Sequence, residues 1–241
     1  MAGEAMAKRP PTMGERLRSL AFHAVFGGGT VLLALAIPVL MLMDRQAIVC
    51  LCTRWSNLQR WAVEHLLGIR VVIEGEVPQG ACLVAMKHES MFEAVDLPTL
   101  LPFPAVFAKV ELLRLPLWGK AGFRYGLVPV ERDQGAKALR AMVAAARSLA
   151  ETGRPLVIFP EGTRVSHGRQ PAMQSGFAGL YKLIGLPVVP VAVDSGPLLH
   201  GFWKRRGTIT YRFGAAIAPG LPRDAVEAQV HAAINALNAG A

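Results

Sequence analysis

Between Arg70 and Phe213, short apolar runs alternate with stretches whose apolar positions recur every three or four residues. The runs RVVIEG (70–75), CLVAM (82–86), AVFAK (105–109), LVPV (127–130), LVIF (156–159), VVPVAV (188–193) and TITYRF (208–213) are too short for helices and rich in Val, Ile and Phe. They are predicted strands. Residues 134–151, 173–185 and 222–238 carry the helical period and are predicted helices. Strands alternating with helices predict an α/β fold with a mixed, largely buried sheet flanked by helices. No internal repeat or low-complexity linker interrupts 69–241, which reads as one domain.

The first 68 residues follow a different pattern. Residues 22–43, FHAVFGGGTVLLALAIPVLMLM, contain no Lys, Arg, Asp or Glu. As a helix this run is about 33 Å long, enough for a hydrocarbon core of about 30 Å. A signal peptide has a shorter apolar region, about 7–15 residues, so an anchor is the better reading. Lys8, Arg9, Arg16 and Arg18 precede the run and Arg45, Arg54 and Arg60 follow it. Positive charge on both sides fits a span or an in-plane helix equally. Residues 46–68 then place Ile48, Leu51, Cys52, Trp55, Leu58, Ala62 and Leu66 at steps of three or four. This is an amphipathic helix that either lies in the interface or packs on the domain. Residues 1–68 are therefore a membrane-anchoring helical segment ahead of the domain at 69–241.

Composition strengthens that picture. The chain has 241 residues, 52% of them apolar, and a net charge of +9. The apolar excess points to a membrane, and the charge to anionic partners there. No basic stripe interleaved with aromatics is present, which argues against nucleic acid. Cys50, Cys52 and Cys82 form neither a disulfide framework nor a metal-ligand set. Reduced thiols suit a domain on the cytoplasmic face.

Three strand ends carry candidate chemistry. His88 and Glu93 lie just beyond the run 82–86, and ligands collect at the carboxyl ends of strands in open α/β sheets. Five residues apart, the two side chains would not share a helix face. They meet if His88 lies in the loop and Glu93 in the first helical turn. Ser90 and Glu93 have capping-box spacing, which predicts a helix from Met91 and gives Glu93 a second, structural role. Phe159-Pro160-Glu161-Gly162-Thr163-Arg164 follows the run 156–159. Gly162 permits a turn there and Arg164 offers a planar fork of donors for phosphate, although such a segment can also be only a turn. Lys109 and Arg132 end the runs 105–109 and 127–130, as site cations or as a solvated basic rim.

These blocks, in this order, resemble the 1-acylglycerol-3-phosphate acyltransferase family of glycerolipid acyltransferases. His88 matches the histidine of its H-x4-D motif, with Glu93 at the aspartate position and Lys87 where an Asn is common. Lys109, Leu112, Pro116, Gly119 and Arg132 match the second block. Phe159 to Arg164 reproduce F-P-E-G-T-R in full, and Val189, Pro190 and Val191 match the fourth. The resemblance covers about residues 69–215. It implies acyl transfer from acyl-coenzyme A or acyl carrier protein to the hydroxyl of a lysophospholipid at a bilayer, with His88 as base and Glu93 as its partner. Asp96 is the runner-up partner. Lys109, Arg132, Glu161, Gly162, Thr163 and Arg164 are implied for substrate, and no metal or cofactor is implied. A different lyso-lipid acceptor such as lyso-ornithine lipid, hydrolysis by water, or a non-catalytic lipid-binding protein on the same fold are the alternatives.

Overall fold

The computed structural model describes residues 9–130 and 135–238, with side chains from 131 to 139 left aside. All seven predicted strands are present: β1 (Ile69–Glu74), β2 (Leu83–Met86), β3 (Ala105–Lys109), β4 (Val128–Val130), β5 (Leu156–Ile158), β6 (Val188–Val193) and β7 (Gly207–Phe213). They form one sheet in the order β1-β7-β6-β2-β5-β3-β4. The five strands from β6 to β4 run parallel. β7 is antiparallel to β6, and β1 is parallel to β7. The sheet is therefore mixed. β2 and β6 are buried along their whole length, which is why they read as unbroken apolar runs rather than alternating ones.

The helices are α1 (Met13–Leu40), α2 (Arg45–Trp61), α3 (Phe92–Leu100), α4 (Val110–Leu113), α5 (Trp118–Tyr125), α6 (Gly135–Ala150), α7 (Gly176–Ile184), α8 (Gly196–Leu199) and α9 (Arg223–Ile234). α1 begins nine residues before the charge-free run. Thr12 and Glu15 close a capping box there, and Glu15 and Ser19 turn inward. Arg16 and Arg18, which precede the charge-free run in sequence, therefore lie within the helix and not ahead of it. Two π-helical turns, His23–Gly27 within α1 and Ala62–Leu66 after α2, each shift the helical register. Among the described residues α1 is the one helix long and apolar enough to cross a membrane. Val31, Leu32, Leu35 and Val39 on it are exposed.

The N-terminal helices share the core of the sheet. Phe22, Ala62, Val63 and Leu67 pack in one buried cluster with Val84, Met86, Leu97, Ile209 and Tyr211. A polar bond reinforces this contact. Arg60 on α2 holds both oxygens of Asp96 on α3, and Tyr211 Oη donates to Asp96 Oδ2 at 3.0 Å. Cys50, Cys52 and Cys82 are free thiols.

Candidate active site

The parallel strands β6, β2, β5 and β3 deliver their carboxyl ends to one edge of the sheet. His88 leaves the middle of this edge, two residues beyond β2, and Glu93 is the second residue of α3. The five-residue spacing is bridged as the loop-then-helix reading requires. His88 Nδ1 lies 3.0 Å from Glu93 Oε1, and the Glu93 carboxylate is wholly buried.

Glu93 serves the helix start and the histidine together. Its Oε1 also accepts the backbone N–H groups of Glu89 and Ser90, at 2.5 and 2.6 Å. Its Oε2 accepts the hydroxyls of Ser90 at 2.8 Å and Ser195 at 2.7 Å. Ser90 Oγ in turn accepts the Phe92 N–H at 3.1 Å, and α3 starts one residue later than the capping box predicted, with Met91 at its N-cap. Burial alone pushes the Glu93 carboxyl upward. The hydrogen bond and charge of His88, with the Ser90 amide and the Ser195 hydroxyl, bring it below the ordinary carboxylate value. An ionised Glu93 only accepts, so Nδ1 is the donor in this bond and Nε2 lies on the far side of the ring.

The 159–164 block clamps the histidine. Phe159 stacks on the His88 ring, with centroids 4.2 Å apart and planes 25° apart. Glu161 Oε2 accepts the His88 N–H at 3.2 Å, and His88 O accepts the Val165 N–H at 2.7 Å. Glu161 is buried, and its other oxygen lies 2.6 Å from Lys87 Nζ. Lys87 also donates to Arg169 O and Asn235 Oδ1, both at 2.8 Å. Gly162 adopts φ +68 and its N–H donates to Phe159 O, closing the turn.

Thr163 and Arg164 are exposed beside His88. Arg164 lines a hollow of about 630 Å³ with Val165, Ser166, Arg169, Gln170 and Pro171. Lys109 is exposed at the end of β3, on the same edge but two strands away. Arg132 lies outside the described residues. Asp96 belongs to Arg60 and Tyr211 rather than to His88. Gly119 is fixed by packing, since a Cβ there would stand 1.9 Å from Leu113 O.

The Lys87–Glu161 pair escaped the sequence reading, and so did a second pair. His167 Nδ1 lies 2.9 Å from Glu89 Oε1, and Gly196 N donates to Glu89 Oε2 at 2.8 Å. Adjacent residues 195 and 196 thus brace the two carboxylates that orient two histidines. The bond from Glu89 raises the His167 imidazole above its ordinary value against the effect of burial. Burial pushes Glu89 upward more strongly than His167 and Gly196 pull it down. Only the adjacency of Glu89 to His88 in sequence could have drawn attention to it. Among the described residues no three His, Cys, Asp or Glu side chains are grouped to hold a metal ion.

A histidine held by a buried carboxylate thus stands on the carboxyl edge of the sheet. The family model described as Acyltransferase matches residues 68–194, and the chain belongs to that family. Among curated relatives it is similar to the 1-acyl-sn-glycerol-3-phosphate acyltransferase of Pseudomonas aeruginosa. They are 27% identical over 204 residues, which cover 82% of this chain and 77% of the relative. The 1-acyl-sn-glycerol-3-phosphate acyltransferase alpha of Ovis aries is 27% identical over 209 residues, covering 85% of this chain and 71% of the relative. The crystal structure of the 1-acyl-sn-glycerophosphate (LPA) acyltransferase PlsC from Thermotoga maritima shares the fold. Its TM-score is 0.67 at 22% identity, over 93% of this chain and 96% of the other.

Proposed function

We propose that this acyltransferase moves a fatty acyl group from the thioester of coenzyme A or acyl carrier protein to the sn-2 hydroxyl of 1-acyl-sn-glycerol 3-phosphate, giving phosphatidic acid. The observation that carries this reading is the His88–Glu93 contact at 3.0 Å, which directs Nδ1 to the carboxylate and Nε2 away from it. His88 Nε2 takes the hydroxyl proton as the oxygen attacks the thioester carbonyl. The C–S bond then breaks, and the imidazolium returns the proton to the departing thiolate. Glu93 favours the imidazolium while this happens, as the acid of a Ser-His-Asp triad does. No acyl-enzyme is needed, because the acceptor supplies the nucleophile. Ser90 Oγ is already engaged with Glu93 and Phe92 N.

Arg164, with Arg132 and Lys109, holds the acceptor phosphate, for which a guanidinium fork is well shaped. The hollow beside Arg164 and Arg169 supports this placement. Glu161, Gly162 and Thr163 shape the turn that presents Arg164. No metal or cofactor takes part. α1 anchors the chain so that the lipid acceptor arrives from the bilayer and the soluble donor from the cytoplasmic side.

The deciding experiment is an assay of labelled acyl-coenzyme A and acyl carrier protein against a panel of lyso-lipids. Transfer to 1-acyl-sn-glycerol 3-phosphate in preference to phosphate-free acceptors is expected. Equal transfer to lyso-ornithine lipid would remove the phosphate reading, and release of free fatty acid without acceptor would make the protein a hydrolase.

A further inference from the structure

The α4–α5 segment exposes a dense apolar patch. Leu112 is 47% exposed, Leu115 50%, Leu117 44% and Phe123 55%. Single exposed leucines are ordinary, but four large apolar side chains within one short segment form a patch that needs a reason. Lys109, Arg114 and Lys120 are exposed around it, against the one acid Glu111. Apolar side chains set among cations are the chemistry of contact with an anionic bilayer.

Its place in the fold gives the patch a neighbour. α4 starts where β3 ends, on the same sheet edge as His88. α5 is fastened to the end of the apolar helix. Arg124 donates to Met41 O at 2.6 Å and to Met43 O, and Arg45 Nε donates to Arg124 O at 3.0 Å. Trp118 meets Trp55 edge-on at 4.8 Å. At this junction Leu42 and Met43 are 88% and 54% exposed, so both α5 and the segment after α1 bear exposed apolar side chains where they are joined. The turn between α4 and α5 is held in a costly conformation. Leu117 adopts φ +63, a left-handed value that a side chain bearing Cβ rarely takes. Backbone cost of this kind persists where the surroundings enforce it, as Gly119 N does by donating to Leu115 O at 2.9 Å.

We propose that the α4–α5 segment enters an anionic bilayer as a second contact beside α1, with Leu115, Leu117 and Phe123 in the acyl region and Arg114 and Lys120 at the headgroups. Two points fix the orientation that one helix alone leaves free, and they press the edge bearing His88 against the lipid. This rests on the membrane reading of α1 given above.

The test is hydrogen exchange on the full chain with and without vesicles of phosphatidylglycerol and phosphatidylcholine. Amides in 112–123 are expected to exchange about fivefold or more slowly with vesicles, together with those of 31–43. Protection of 31–43 without protection of 112–123 overturns the second contact and leaves the anchor intact. Absence of protection in both overturns the membrane reading as well. A second measurement uses the double variant Leu115→Ser and Phe123→Ser. Its apparent KM for a bilayer-embedded acceptor should rise by about tenfold, the effect of losing roughly one buried apolar side chain. Turnover of a short-chain acceptor dispersed as monomers should be unchanged. An equal loss on both acceptors would show that the patch serves the fold and not the bilayer.

Discussion

Lys87 Nζ and Glu161 Oε1 lie 2.6 Å apart with both side chains wholly buried. The pair joins the end of β2 to the loop after β5, and Asn235 Oδ1 brings in the end of α9. Glu161 also accepts the His88 N–H, so one carboxylate holds both the Lys87 ammonium and the backbone of the next residue. A buried pair adds little by its presence, yet breaking it leaves a bare charge. Lys87→Met should therefore cost about 3–5 kcal/mol of stability, read from chemical denaturation. The double variant Lys87→Met with Glu161→Gln should recover much of that loss. If both variants unfold at the same denaturant concentration, the pair does not act as a unit.

Glu93→Gln separates charge from capping. A Gln can place its carbonyl where Oε1 accepts from His88, Glu89 and Ser90. Its amide nitrogen then faces the hydroxyls of Ser90 and Ser195, which rotate to accept. The fold should survive, while kcat falls by roughly 10²–10⁴-fold as the imidazolium loses its counter-charge. Unchanged turnover would confine Glu93 to the helix start.

His88→Ala should lower kcat by at least about 10²-fold with little change in thermal midpoint. The ring is partly exposed and its Phe159 contact is lost without an uncompensated charge other than Glu93, which keeps four donors. Substantial residual transfer would remove the base assignment.

His167 sets a pH dependence. Its imidazole is raised in the folded protein by Glu89. The stabilisation is fully present below the unfolded value of about 6.5 and is lost as pH rises through the folded value. Relative to His167→Gln, the wild-type thermal midpoint should be higher by on the order of 2 °C near pH 6, and the gap should close towards pH 8.5. A gap that widens with pH contradicts the sign.

Deleting residues 1–68 should do more than release the domain from membranes. It strips Ala62, Val63 and Leu67 from the main core and removes Arg60 from the buried Asp96. The remaining domain should be insoluble or unfolded when tested by circular dichroism. Asp96→Asn in the truncated chain should restore part of its solubility, because the uncompensated charge is then gone.

Much of this arrangement was visible in the order of residues. Each strand is a short run of mainly apolar side chains, unbroken where both faces are buried as in β2 and β6, so its length announced it. His88, Glu93 and the 159–164 block sit at strand ends, where chemistry collects, and their order along the chain carries the family resemblance. What stayed hidden depends on meetings across the fold. Lys87 and Glu161 are 74 residues apart, and His167 and Glu89 are 78 apart. No local period reports such pairings. α4, α5 and α8 were missed because four to eight residues are too few to establish a helical repeat. The inward turn of Glu15 and Ser19 hid the true start of α1, since polar residues there read as a flank.

The position of β1 has a consequence for how the chain is made. β1 sits at the sheet edge and, among the described residues, pairs with β7 alone, so the first of these seven strands to be made finds its partner in the last. During synthesis the apolar helix emerges well before the sheet is complete. Residues 68–194, the stretch of family likeness, end before β7. That stretch holds β1 to β6 and leaves β1 without the strand it pairs with. A chain halted there would display the edge of β6 and an orphaned β1, both open to pairing with other molecules.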